Sequence, residues 1–397
     1  MGVQRKRVVL LWLVCVIYAP MQLQAATILL DDNDARLSSP RTAAIGGTHA
    51  ALADDYTTLF SNPAGFNAVS PRFRFTELTF GLSGPIFTLS SIIFEGMKTD
   101  VTSVISRPDV SELLKSIYAG LNIIGPLSFG YVGEGLGFGV SSDIGMTAVG
   151  AGASNLTVNL TNRLLFSGGF ALGVPIPESW PGTLDAGMLL KGFITGRAGF
   201  STTILNLPNV LSSLGPDTIL NEPFDLTTGI GLDLGLRWAF SSQFAAAFTA
   251  ANVVAPAVVN KYASLNDFIN NNAPTSRPRA RIPQNLSVGM LYQPHLGALG
   301  RYITDLKLMF DYRDIIDFWA APASAENPLL KFGLGAELQL LQALDIRAGF
   351  SQGLLAAGIG IDMTYFKLNA AMYGTELSTE PGFNSIFNIL IGLEFER

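Results

Sequence analysis

From Arg72 onward, apolar and polar residues alternate with a period of two, the spacing that puts successive side chains on opposite faces of a β-strand. Residues 226–240 carry it most cleanly. Leu226, Ile230, Leu232, Leu234, Leu236, Trp238 and Phe240 share one parity; Gly229, Gly231, Asp233, Gly235 and Arg237 share the other. Residues 184–200 repeat the pattern, with Asp185, Lys191, Thr195 and Arg197 opposite Met188, Leu190, Ile194 and Phe200. Residues 304–313, 331–341, 344–351 and 387–395 follow the same rule. Ahead of these strands the period is closer to four. Leu52, Tyr56, Leu59 and Phe60 recur at three- and four-residue spacing beside Ala50, Ala51 and Ala53, which predicts a short helix with one apolar face, Thr48 capping its start. Pro63 and Gly65 end it, because the residue before a proline is pushed out of the helical region. Residues 46–66 therefore read as a helix closed by a rigid Asn62-Pro63-Ala64-Gly65 corner, set apart from the strands that follow.

The polar parity decides what the strands build. A soluble sandwich would show lysine and glutamate on that face, whereas here it is glycine-rich with isolated charges of both signs, such as Asp311 and Arg313 or Asp345 and Arg347. That is the pattern of a barrel with a polar interior and an apolar, lipid-facing exterior. Composition agrees: only 14% of the 397 residues are charged, and mean hydropathy is +0.36. Past the N-terminus no apolar run reaches the roughly 18 residues a membrane helix needs. With helices excluded, a closed barrel is the remaining way to satisfy backbone polar groups in hydrocarbon. The expected fold is all-β: a transmembrane antiparallel β-barrel of about 14 strands, 14 to 16 by direct count, with an N-terminal helical hatch, or plug, inside the lumen. The single charges of the polar parity are read as cross-strand pairs.

The expected organisation is a signal peptide over residues 1–26, a hatch over 27–70 and a barrel over 71–397. Arg5, Lys6 and Arg7 precede an apolar run, and Gln24-Ala25-Ala26 supplies small residues for cleavage. Cys15, the only cysteine, lies within that leader, so the mature chain has no thiol. Asp31-Asp32-Asn33-Asp34 resembles the start of a calcium loop, but Arg36 and Thr42 stand where Gly and Glu are required, leaving a solvated acidic stretch. The long connections 374–385, 314–328, 254–281 and 201–225 alternate with short ones at 342, 241–242 and 294–301, so the long ones share one end, the outer end by the barrel rule. An insertion over residues 95–120, with helical spacing at Leu113, Leu114, Ile117 and Tyr118, falls on the opposite, periplasmic end by the same count, so either it is a second inward or periplasmic element or the count has one hairpin wrong between Arg72 and Phe94. Gly125-Pro126 interrupts the third strand of that count. It marks either a local gap in the wall or the first residue of a strand, because proline removes a ladder hydrogen bond.

The order Gly46-Gly47, Ala53-Asp54-Asp55, Asn62-Pro63-Ala64-Gly65-Phe66 near the mature N-terminus resembles the long-chain fatty acid transporter family of outer-membrane proteins, the FadL and TodX type. The resemblance covers about twenty residues. It implies a 14-stranded barrel, an N-terminal hatch carrying Asn62, Pro63, Ala64 and Gly65 as its gating motif, a hydrophobic ligand pocket and a lateral opening beside a kinked early strand. Tyr56, Leu59, Phe60 and Phe66 are the candidates to line the pocket, and Gly125 and Pro126 the candidates for the kink. The chain departs from the family by ending on Phe395-Glu396-Arg397 and by the 95–120 insertion. The function this implies is passive uptake of long-chain fatty acids or similar hydrophobic molecules across the outer membrane of a diderm bacterium. The expected partners are that ligand, outer-membrane lipid and the barrel-assembly machinery; the expected state is a monomer. The alternative is a surface barrel without transport, whose loops bind host or partner proteins as an adhesin or that serves as a docking shuttle for exported proteins. A lipid hydrolase needs a serine, a histidine and an acid converging, yet the only histidines are His49, in the hatch, and His295, in a predicted turn. No cofactor is expected, and a net charge of −6 supplies no basic footprint for nucleic acid.

Overall fold

The computed structural model describes residues 28–30, 39–85, 107–115, 117–151, 155–203, 219–320, 325–363 and 365–397, with isolated positions between 88 and 104 and at 322. The leader and the Asp31–Asp34 run lie outside the described residues. Antiparallel strands close into one 14-stranded barrel. They are β1 (Arg72–Ser83), β2 (Tyr118–Gly133), β3 (Leu136–Gly150), β4 (Leu156–Val174), β5 (Thr183–Thr202), β6 (Phe224–Ala239), β7 (Phe244–Val254 continued by Pro256–Tyr262), β8 (Arg279–Arg281 continued by Asn285–Tyr292), β9 (Ile303–Tyr312), β10 (Phe332–Leu340), β11 (Leu344–Ser351), β12 (Leu354–Asp362), β13 (Lys367–Glu376) and β14 (Ser385–Glu396). The ring closes where β14 pairs with β1, Leu390 opposite Gly81.

Alternation sets the two faces. Leu190, Ile230 and Met290 point outward and are 57%, 56% and 58% exposed, while Lys191 and Asp311 point inward and are 3% exposed. An outer surface that apolar is stable only against lipid. The inward charges pair across strands: Arg163 donates to Asp143 at 2.9 and 2.6 Å, Lys191 meets Asp233 at 2.9 Å, and Arg347 donates to Glu337 at 2.7 Å. Left-handed backbone makes the tightest hairpins. Glu134 and Gly135 (φ 52° and 79°) join β2 to β3, and Gln352 and Gly353 (φ 53° and 78°) join β11 to β12, the conformation that matches strand twist.

Three expectations about connectivity are corrected. The insertion lies on the long-loop end, not the short-turn end. Arg72–Ser83 is a single strand, so the chain has crossed once, and not twice, when the insertion begins. It includes the helix Pro108–Lys115, while Tyr118 already starts β2. The same recount makes Gly125-Pro126 part of the second strand and not the third. The connection expected over 254–281 is also shorter, because β7 resumes at Pro256 and runs to Tyr262 after a bulge at Asn252 (φ 55°).

The expected helix over residues 50–60 is absent. The α-helix of this region is α1 (Pro40–Ala44), capped by Ser39, whose Oγ accepts from the Arg41 amide at 3.2 Å. Left-handed Gly46 and Gly47 then turn the chain, with Gly46 pressed against the carbonyls of Leu334 and Phe350, where no Cβ fits. Two 3₁₀ turns follow, Tyr56–Phe60 and Pro63–Asn67. The Asp55 carboxylate caps the first turn through the Thr57 amide at 2.8 Å, and that holds Asp55 itself extended (φ −142°, ψ −175°), which no continuous helix allows. Thr48 does not cap; its hydroxyl donates back to the Ile45 carbonyl at 2.6 Å.

Candidate functional site

Residues 39–71 run along the inner face of the barrel, and three features of that contact bear on function. The first is a charge clamp. The Arg41 guanidinium donates to Glu337 (Nε, 2.7 Å; Nη2, 2.5 Å) on β10, to Asp54 (2.8 Å from each Nη) and to Asp55 (2.6 Å). Lys307 of β9 joins from the wall, 2.8 Å from Asp54 and 3.0 Å from Glu337. Burial alone would raise the Asp54 carboxyl, but Arg41 and Lys307 outweigh it and hold Asp54 well below the usual carboxylate range; Asp55 is lowered in the same way, by Arg41. A cavity of about 190 Å³ adjoins the clamp and reaches Arg72, Asp345, Lys367 and Asn369. Its lining is charged, so it suits water and ions and not an acyl chain.

The second feature is an apolar wedge. Tyr56, Leu59 and Phe66 are fully buried with Val69, Val132, Ala171 and Leu189, and Phe60 is half-buried beside them. They fill the space between turns and wall. Gly137 and Gly139 leave the room taken by Phe66 and Leu59, and Gly130 and Gly139 that taken by the Tyr56 hydroxyl. Tyr56 lies over the Arg74 guanidinium, 4.3 Å from carbon to ring centroid. Burial pushes its hydroxyl up to about 12. Phe60 also touches a second luminal cluster formed by Leu30, Leu165, Phe193, Ala255, Ala257, Val259, Ala280 and Ile282. Asn62 fixes the corner of the wedge: its Oδ1 accepts from the Ala64 amide at 3.0 Å, and its Nδ2 donates to the Ala50 and Leu236 carbonyls at 2.8 and 3.2 Å. Pro63 and Ala64 lie against Gly187 of β5, where a side chain would collide with their backbone, and Gly65 is closed in by Thr58 and Ala53.

The third feature is interruption of the wall. Between β1 and β2 the ladder stops at Arg74–Gly130 and resumes at Thr79–Ile124, leaving residues 75–78 facing 125–129. The β2–β3 ladder breaks over the same stretch, between Ile124 and Ser128. Gly125 (φ 90°) sits against the Glu77 carbonyl and admits no Cβ, and its peptide bond to Pro126 is cis. On the luminal side stand Arg74, Glu77, Glu394 and Glu396, with Arg74 donating to Glu77 at 2.7 Å and also to Glu394. On the lipid side are Phe75, Leu127 and Phe129. The Tyr56 hydroxyl is 3.5 Å from the Phe129 carbonyl, so the wedge ends at this interruption. A second interruption was not anticipated from the sequence. Strand β9 pairs with β8 only from Val288 onward, and beyond that point Ile28–Leu29 lie parallel to Ala280–Arg281, with Leu30 inside the second cluster. Asp317–Ala320 follows β9, and Ile315 donates to the Leu286 carbonyl at 3.0 Å. His49 contacts the Gly47 carbonyl, and His295 lies in the short β8–β9 turn, so the two histidines are on separate parts of the chain.

No protein-family model matches the sequence, and no curated protein matches it. Among solved structures the chain is similar to the Ralstonia pickettii toluene transporter TbuX (14% identity, 92% of this chain and 99% of that one, TM-score 0.45) and to the Pseudomonas putida toluene transporter TodX (11%, 93% and 99%, TM-score 0.46). It is similar in the same degree to a Pseudomonas aeruginosa FadL homologue (11%, 91% and 99%, TM-score 0.44).

Proposed function

We propose that the protein is an outer-membrane channel for passive uptake of hydrophobic small molecules, long-chain fatty acids among them, with residues 39–71 as its hatch. The observation that carries the reading is the β1–β2 interruption, which faces lipid on one side and ends the Tyr56 wedge on the other. A solute arriving between the long loops meets the apolar cluster around Phe60, Phe193 and Val259. Each buried CH₂ contributes about 0.8 kcal/mol there, so a long acyl chain needs no specific chemistry to bind. The clamp and wedge block the straight way down, and displacement of the wedge joins the cluster to the gap beside Gly125 and Pro126.

The test removes Gly125 and Pro126, which leaves Leu127 opposite Ser142 and lets β2 pair evenly with β3. Uptake of a labelled long-chain fatty acid by cells carrying this variant should fall to the level of cells lacking the protein, while the folded barrel persists. Uptake at the unaltered rate refutes the route. A second reading, a barrel that binds partner proteins through its loops, draws on Phe318, Trp319 and Phe383, exposed by 54%, 80% and 82% at the long-loop end. Replacing those three by serine should then abolish partner binding and leave uptake intact.

A further inference from the structure

Three successive outward positions at the long-loop end of β8 are arginines. Arg279 stands opposite Val258 of β7 and Arg281 opposite Pro256, both outward-facing, whereas Ala280 between them is buried in the luminal cluster. Arg277, two residues earlier, continues the line. Arg277 and Arg279 are exposed, Arg281 is half-buried, and none of the three forms an ion pair with a carboxylate among the described residues.

Their height on the wall is set by their neighbours. The outer face around them is apolar: Ile230 and Val254 are 56% and 54% exposed, and Val258, directly opposite Arg279, is 38% exposed. Beside them is an aromatic group, Phe224, Tyr262 and Phe268, with ring centroids 4.9 Å apart for Phe224–Phe268 and 5.4 Å for Tyr262–Phe268. An apolar band bounded by aromatic residues marks the edge of the hydrocarbon layer in a barrel, and guanidinium groups at that edge reach headgroups on their long apolar stems. On their other flank β9 has already left the sheet, and the two-residue strand Ile28–Leu29, 41% and 47% exposed, runs beside Ala280–Arg281 in its place.

We propose that Arg277, Arg279 and Arg281 form a docking strip for a phosphate-bearing lipid in the leaflet at the long-loop end. The guanidinium fork matches phosphate oxygens in pairs. Alternate residues on a strand are about 6.6 Å apart, so the strip runs about 13 Å and spans two phosphates of one headgroup. It faces away from the lumen, which separates it from any solute in transit. The strip requires only that the barrel sit in a membrane and is independent of what passes through it.

The experiment places the mature protein in phosphatidylcholine nanodiscs containing diphosphorylated lipid A and measures the lipid retained by native mass spectrometry across a dilution series. Each arginine near a charged headgroup layer is worth about fivefold, so the triple variant R277Q/R279Q/R281Q should bind on the order of a hundredfold more weakly. The triple lysine variant should keep part of the affinity, and R279Q alone should lose about fivefold. Dephosphorylated lipid A should bind the unaltered protein no better than diphosphorylated lipid A binds the triple glutamine variant. All three side chains point out of the wall, so each variant should keep the heat-modifiable mobility of a folded barrel. The proposal is overturned if the triple glutamine variant retains diphosphorylated lipid A undiminished, or if the dephosphorylated form binds equally well. It is also overturned if millimolar inorganic phosphate alone strips the lipid, which marks a free-anion site.

Discussion

Replacing Arg41 by methionine keeps much of the side-chain volume and removes the charge on which the clamp converges. Arg41 makes five hydrogen bonds to three carboxylates, and its side chain is only 9% exposed. Taking one partner out of a buried ion pair costs about 3–5 kcal/mol, because the remaining charge stays buried without its counterion. Here the remaining carboxylates keep other partners: Glu337 has Arg347 and Lys307, Asp54 has Lys307, and Asp55 has the Thr57 amide and hydroxyl. The cost therefore falls at the lower end, about 3 kcal/mol.

Where that energy is lost distinguishes a hatch from a structural strut. The wall ladder closes on itself through β14 and β1 without residues 39–71, so the loss should fall on docking of that segment and spare the barrel. About 3 kcal/mol corresponds to roughly a hundredfold rise in the undocked population. Hydrogen exchange followed peptide by peptide should show residues 39–71 exchanging on the order of a hundredfold faster in the variant, with β3–β6 unchanged. Single-channel conductance in planar bilayers should rise in parallel. Equal acceleration in strands and segment, or none in the segment, refutes the reasoning. The double variant Arg41→Met, Glu337→Gln should recover part of the loss, since it removes one of the carboxylates left in excess of Lys307 and Arg347.

Other outcomes follow from the same geometry. Asn62→Ala removes a cap and leaves the Ala50 carbonyl without its donor inside the protein, so docking of the segment should weaken by about 2 kcal/mol, read by protease protection of residues 39–71. Gly125→Ala places a Cβ against the Glu77 carbonyl at φ 90°, which should cost about 1–3 kcal/mol and reduce the yield of folded barrel in a refolding assay. Asp54 and Asp55 titrate below their ordinary range, so their contribution is fully present above about pH 4 and is lost as pH falls through the lowered folded values. Protease protection of residues 39–71 should therefore hold from pH 7 to about pH 4 and fail below it. Cysteines at Ile28 and Ala280, oxidised to a disulfide, should pin the N-terminal strand; if that strand moves during uptake, fatty-acid uptake drops under oxidising conditions and returns with reductant.

The barrel was legible because its signal is local: a strand between lipid and a polar lumen must alternate, and Leu226 to Phe240 does so whatever lies far away. What went unread depends on contacts distant in sequence. Leu52, Tyr56 and Leu59 keep helical spacing, yet they do not share a face. Leu52 is buried with Ala245 and Leu291, whereas Tyr56 and Leu59 are buried with Val132 and Leu189 on the other side of the lumen. A segment enclosed by a wall can bury side chains in every direction, so apolar spacing no longer reports a helix, and the Asp55 and Asn62 caps choose short turns instead. The Arg41 clamp gave no sequence signal either, since Glu337 is 296 positions away. Gly125-Pro126 shows the boundary between the two cases. The pair announced a break in a strand, but the width of that break depends on β1, which slips its own register against β14 between Thr76 and Arg74 and leaves Phe75 unpaired. Neither strand makes the gap alone: with β1 in even register, residues 75–78 would still have a backbone to meet at 125–129, and the wall beside Tyr56 would close.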